Sequence, residues 1–132
     1  MPEKQTIQRA RRAKREGKAP TTQAGEFVHE EIEHVRGGKH GARSTKQAIA
    51  IGLSKARRSG VKLPPPEKGS VSERTRRQAQ RDVLSGAGGR RKPSTSRSRA
   101  VRSALKREGR SAASRSALSR QARSAARARR KK

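Results

Sequence analysis

The sequence predicts an all-α protein: a small helical hairpin, extended by a candidate third helix and flanked by basic arms that are disordered or only conditionally helical. Three observations carry that prediction. The only aromatic residue, Phe27, and most of the branched aliphatics fall between Thr21 and Pro66. Within that stretch apolar residues recur at intervals of three and four, the period of a helix with one buried face. The chain as a whole, with 27% hydrophobic against 36% charged residues in 132, holds too little apolar material for a core spanning its length. The expected organisation is a basic N-terminal arm over 1–20, a helix-turn-helix-like hairpin module over 21–66, a candidate third helix and glycine-rich linker over 67–89, and an Arg/Ser/Ala-rich basic tail over 90–132.

In the N-terminal arm, residues 3–16 are good helix formers and Gly17 is a stop before Ala19-Pro20. Ile7 is its only large apolar side chain, so docking by hydrophobic burial is not expected. Arg9, Arg11, Arg12, Lys14 and Arg15 form a basic run, either solvated or laid on phosphates.

The first hairpin helix places Ala24, Phe27, Val28, Ile32 and Val35 on one stripe and ends at Gly37-Gly38, since glycine takes the left-handed cap conformation without steric cost. Glu26, Glu30 and Glu33 fall opposite the stripe, with Glu31 at its edge. They should point away from phosphates, where the basic tail can meet them. His29 and His34 are five residues apart, about 140° around a regular helix, so they do not reach one metal together. No metal site and no cofactor are expected.

The turn from Gly38 to Arg43 leads into Ser44-Thr45-Lys46-Gln47, where Ser44 and Gln47 have the offset of a capping box. Unpaired N–H groups at a helix N-terminus, its positive dipole end, and Lys39, Arg43, Ser44, Thr45 and Lys46 together make this the best anion site in the chain. It is not a P-loop, because the glycine-lysine-serine/threonine triplet is missing. The second helix then aligns Ala48, Ile49, Gly52, Leu53 and Ala56, with Gly52 small enough to admit a close neighbour. Gly60 is its C-cap, Val61 folds back, and Pro64-Pro65-Pro66 stops it. Lys55, Arg57 and Arg58 are expected to face nucleic acid. Ile51 lies on the far side, a position for a third helix or a second subunit to cover, so a homodimer is an open partner.

Residues 70–86 supply the candidate third helix: Ser70 and Glu73 have capping-box spacing, Val71, Thr75, Ala79 and Val83 align, and Gly86 stops it. Beyond it, residues 90–132 carry seventeen Lys or Arg against one acid, Glu108. Arg90, Arg91, Lys92, Arg97, Arg99, Arg102, Arg110, Arg115, Arg120 and Arg123 are the phosphate contacts expected there. Arg-Ser-Ala recurs at 102, 110, 115 and 123 without keeping one helical face, a compositional repeat. Alanine and arginine favour helix, so phosphate neutralisation should make parts of 97–107 and 111–130 helical.

A net charge of +27 and a pI near 12.0 demand a polyanionic partner. Nucleic acid fits, and the near absence of aromatic stacking residues favours double-stranded DNA over single strands or RNA-specific recognition. The expected function is largely sequence-independent DNA binding. The alternatives are a protein-interaction adaptor that uses the acidic helix or an apolar groove, and an RNA-associated basic protein, which the Ser-Arg dipeptides at 96–99 permit. An enzyme is not expected: there is no cysteine or tyrosine, and the few acids and histidines form no catalytic constellation. No segment approaches the roughly 20 apolar residues of a membrane span and the N-terminus lacks a signal-like run, so a cytoplasmic protein is expected.

Lys46-Gln47-Ala48-Ile49-Ala50-Ile51-Gly52-Leu53-Ser54-Lys55-Ala56-Arg57, with Gly38-Lys39-His40 upstream, resembles an uncharacterised family of small, basic bacterial proteins, some labelled plasmid-stabilisation or histone-like. The resemblance covers about 23–66. It implies a bacterial cytoplasmic protein with a nucleoid-associated or plasmid-maintenance role, and brings no catalytic residue. The tail is separately similar in composition to basic linker-histone tails.

Overall fold

The computed structural model describes residues 3–88 and 95–130. Among them are six α-helices, α1 (Lys4–Arg15), α2 (Pro20–Arg36), α3 (Thr45–Arg58), α4 (Glu73–Gly88), α5 (Thr95–Arg107) and α6 (Arg115–Arg130), with a 3-10 turn at Ser111–Ala113. The all-α class holds. The expectation of two or three helices between disordered or conditionally helical arms does not, because α1, α5 and α6 are formed helices in those arms.

The hairpin is α2 and α3, and its ends form as the glycines require. Gly38 at φ 78° and Gly60 at φ 100° are left-handed. After α2, the Gly38 N–H donates to Val35 O at 3.2 Å and the Lys39 N–H to His34 O at 3.0 Å. After α3, the Gly60 N–H donates to Arg57 O and the Val61 N–H to Ala56 O, both at 3.1 Å. Each helix thus satisfies two of its last carbonyls by one paired-bond motif. Val61 is buried beside Ala56, as the folded-back cap contact demands.

Contacts group the chain into two units, one of residues Met1–Glu30 and Ile51–Lys92, the other of Glu31–Ala50 and Pro93–Lys132. In the first, Ala10, Ala24, Phe27, Ala56, Val61 and Leu63 form the core, with Ile7 and Leu53 against it. A side chain at Gly52 would put its Cβ 2.7 Å from Val28 Cα, so α2 and α3 cross at backbone distance. α1 docks after all, on Thr6, Ala10 and Ala13. The Thr6 hydroxyl donates to Glu30 Oε1 at 3.0 Å and the Glu3 N–H to the same oxygen at 2.5 Å. Small side chains let the helix approach, and polar ties replace the bulk that its sequence lacks.

α4 also differs from the expected helix. Ser72 caps it, accepting the Thr75 N–H at 3.2 Å, whereas the Ser70 hydroxyl donates to Glu67 O at 2.6 Å in a turn. Its docking face is Ala79 and Asp82, both buried, and Gly86, where a Cβ would collide with the Arg57 carbonyl; Val71 and Thr75 are exposed. Gly86 is therefore a packing position inside the helix and not its stop. Asp82 accepts from Ser54 Oγ at 2.7 Å, Arg58 Nε at 2.9 Å and Gln78 Nε2 at 3.1 Å.

The second unit has a core of Val35, Ala42, Ala48, Ala112 and Ala113, with Ile32 against it. The end of α5 is tied to the turn after α2: the Gly41 N–H donates to Leu105 O at 2.7 Å and the Ala42 N–H to Gly109 O at 3.0 Å. A Cβ at Gly41 would collide with the Glu108 carbonyl. The Arg36 Nε–H donates to Ala113 O at 2.9 Å. Neither α5 nor α6 buries a residue of its own; α5 is tied by its Leu105 carbonyl, and the loop between the two helices carries the buried Ala112 and Ala113.

Candidate nucleic-acid interface

Two helix N-termini meet in the second unit. At the start of α3, the Ser44 hydroxyl accepts the Gln47 N–H at 3.1 Å, while the Gln47 side-chain oxygen accepts the Arg43 N–H at 2.6 Å. This is the capping box that the sequence promises, with its return bond one residue further out. At the start of α6, the Ser114 hydroxyl accepts the Ala117 N–H at 3.1 Å and lies 3.3 Å from the Ser116 hydroxyl. Thr45 ties the two starts together by donating from Oγ1 to Ala112 O at 2.5 Å.

Between them lies a groove of about 570 Å³, lined by Arg43, Ser44, Thr45 and Lys46 from one side and by Ser111, Ala112, Ser114, Ser116, Ala117, Arg120, Gln121 and Ser124 from the other. Three cations, a row of hydroxyls and two positive dipole ends face it, and no carboxylate is among the lining residues. Such a surface suits an oxyanion, each phosphate oxygen accepting from a guanidinium, an ammonium or a hydroxyl.

The other residues expected to meet nucleic acid are placed unequally. Lys39 is exposed in the turn, and Arg97, Arg99 and Arg102 are exposed along α5. Arg115 is exposed at the first position of α6, and Arg120 and Arg123 line a second groove with Ala126, Arg127 and Arg130. Arg110 is exposed and donates to Arg36 O at 3.3 Å. Arg90, Arg91 and Lys92 lie outside the described residues.

Lys55, Arg57 and Arg58 belong to the first unit. Lys55 is half-buried. Arg57 does not face a ligand: it is buried and donates from Nε to Leu63 O at 3.3 Å and from a terminal nitrogen to Pro64 O at 3.0 Å. Burial holds its pKa below the ordinary arginine value, with nearby Asp82 opposing. Its work is to hold the proline segment onto the end of α3. Arg58 is exposed but engaged with Asp82 at 2.9 Å.

The acidic face is engaged in part, with Glu33 exposed and Glu26 half-buried. Glu30 and Glu31 are buried, Glu26 lies 3.4 Å from Arg9, and Glu33 lies 3.8 Å from Arg36. No open row of glutamates awaits the tail, because α1 occupies Glu30. The periodicity missed this, since a helix wheel assigns an outward face without knowing what packs on it.

The Ser114 half of the groove escaped the sequence reading because its serine sits inside a repetitive Arg-Ser-Ala composition. The readable signal was Ser114 immediately before an uninterrupted run of helix formers, an N-cap position.

With the geometry in place, comparison with known proteins adds one match. A family model described as "Family of unknown function (DUF6496)" matches residues 4–68, just under half of the chain. The matched stretch holds Arg43, Ser44, Thr45 and Lys46, whereas the residues from Ser111 to Ser124 lie beyond it. No curated protein and no solved structure matches the chain.

Proposed function

We propose that this protein binds the phosphate backbone of double-stranded DNA, largely without regard to base sequence, through the groove between the starts of α3 and α6. One observation carries the reading: Arg43, Lys46 and Arg120 line the same groove as two serine-capped helix N-termini. A chain of net charge +27 supplies the long-range attraction that brings a polyanion there. The exposed arginines of α5 and α6 extend the basic surface from that anchor. Such binding is what a nucleoid-associated or plasmid-maintenance protein of a bacterial cytoplasm requires. Among the described residues no helix is long and apolar enough to cross a membrane.

Duplex is favoured over single strands because the chain's one aromatic residue, Phe27, is 1% exposed and offers no stacking surface. The adaptor reading, by the acidic helix or an apolar groove, has less behind it, because Glu30 is buried and Glu26 and Glu33 lie near Arg9 and Arg36. Matched duplex DNA, single-stranded DNA and duplex RNA, titrated across a salt series, test the proposal. Duplex DNA should bind most tightly, with similar affinity for unrelated sequences and a steep loss with salt. Preference for single strands or for duplex RNA would overturn it.

A further inference from the structure

The turn that ends α2 brings His40 back onto the helix, beside two residues that lie one turn apart on it. Glu31 is completely buried; its Oε2 lies 3.2 Å from His40 Nε2, and its Oε1 lies 3.9 Å from His34 Nδ1. The rings of His34 and His40 meet edge to face with centroids 5.9 Å apart. One donor atom from each of the three side chains falls within 4.8 Å of the other two.

We infer that Glu31, His34 and His40 form a binding site for a divalent transition metal of the zinc type. His40 Nδ1 lies 2.9 Å from the Gly41 carbonyl oxygen, which can only accept, so that nitrogen carries the hydrogen. In the neutral ring Nε2 then presents its lone pair toward a buried carboxylate. Two electron-rich groups facing each other at 3.2 Å are set to share a cation placed between them. A histidine held by a backbone carbonyl on one nitrogen and offering the other is the usual setting of a metal ligand.

The donor set selects the metal class. Two imidazole nitrogens and one carboxylate oxygen suit zinc and its neighbours better than calcium or magnesium, which prefer all-oxygen shells. Zinc bonds of about 2.0–2.2 Å set tetrahedral donors about 3.4 Å apart, so the Glu31–His40 pair at 3.2 Å already has that spacing and His34 must draw in. Three protein ligands leave a fourth position for water. His29, which helix geometry keeps from sharing a metal with His34, is exposed and outside the cluster. What completes the site is the Gly37-Gly38 reversal, which returns His40 to the helix. Metal binding would pin the turn carrying Lys39 and Arg43 to the end of α2.

Full-length protein stripped with a chelator and freed of nucleic acid should bind one equivalent of zinc in calorimetric titration and melt at a higher temperature with zinc than without. Cobalt should bind in its place and give visible absorption bands of a low-coordinate site. His40→Gln should weaken zinc by more than the roughly 10–100-fold that losing an outer-shell partner costs, and His29→Gln should leave it unchanged. Because Glu31→Gln can disturb folding, cobalt absorption of the wild-type protein serves as the mutation-free readout. Absence of cobalt bands together with an unchanged melting temperature in zinc would overturn the inference and leave a histidine–glutamate ion pair. Equal losses in His29→Gln and His40→Gln would also overturn it, as the mark of nonspecific surface binding.

Discussion

At the residue scale, single glycines and one phenylalanine decide the packing. Gly52 can be replaced only by moving α2, because Val28 Cα, Val28 N and the Phe27 carbonyl stand 2.7–3.1 Å from where a Cβ would sit. Gly52→Val should cost roughly 1–3 kcal/mol by overpacking, read as a lowered midpoint in thermal or urea denaturation followed by circular dichroism. An unchanged midpoint would mean that the helices do not cross at backbone distance. Phe27, 1% exposed, is the largest side chain in its core, and Phe27→Ala should cost about 3–5 kcal/mol. Retained helicity and midpoint would place that ring outside the core. Both positions were legible: Phe27 from its stripe, Gly52 from its place on the packed face of α3. Gly41 was not, because a glycine in a glycine-rich turn gives no sign that a distant carbonyl, Glu108's, will press against it.

Between elements, the sequence is informative where bulky side chains do the packing and silent where small ones do. The ends and inner faces of α2 and α3 follow from branched aliphatics and cap residues. The docking of α1 rests on Thr6, Ala10 and Ala13, and that of the α5–α6 loop on Ala112 and Ala113. Alanine and threonine bury little area each, so counting large apolar residues assigns these segments to solvent. They approach closely enough to exchange hydrogen bonds with Glu30, Arg36 and Thr45 instead. The same logic holds for α4, which docks by Ala79, Gly86 and the buried carboxylate of Asp82. Asp82→Ala removes the acceptor shared by Ser54, Arg58 and Gln78. It should destabilise by about 1–3 kcal/mol in urea unfolding, whereas Arg58→Ala, whose side chain is half in solvent, should cost less. Equal costs would mean that the surface ion pair, and not the buried node, holds α4.

For the whole molecule, charge sets the problem that the proposed interface would solve. A net +27 on 132 residues repels itself; a bound polyanion would neutralise that charge, and release of its counterions would favour the binding. Much of the candidate groove was readable: Arg43 to Lys46 announced a capped helix start amid cations and Arg120 stood among the expected tail contacts, while Ser114, and its place beside the start of α3, was hidden in repeats whose spacing carries no three-dimensional information. Because Ala112 and Ala113 belong to a core, cutting away the tail would confound lost charge with lost folding, and substitution of exposed cations separates the two. The decisive measurement is the slope of log affinity for duplex DNA against log salt in a variant carrying Arg43→Gln, Lys46→Gln and Arg120→Gln. With each phosphate contact contributing about 0.9 to the slope, the variant should be shallower by roughly 2–3 and weaker on unrelated sequences alike. The same count of substitutions at exposed Arg74, Arg77 and Arg81 of α4 should change it far less. An unchanged slope in the groove variant, or equal flattening in both, would contradict the groove as the principal DNA contact.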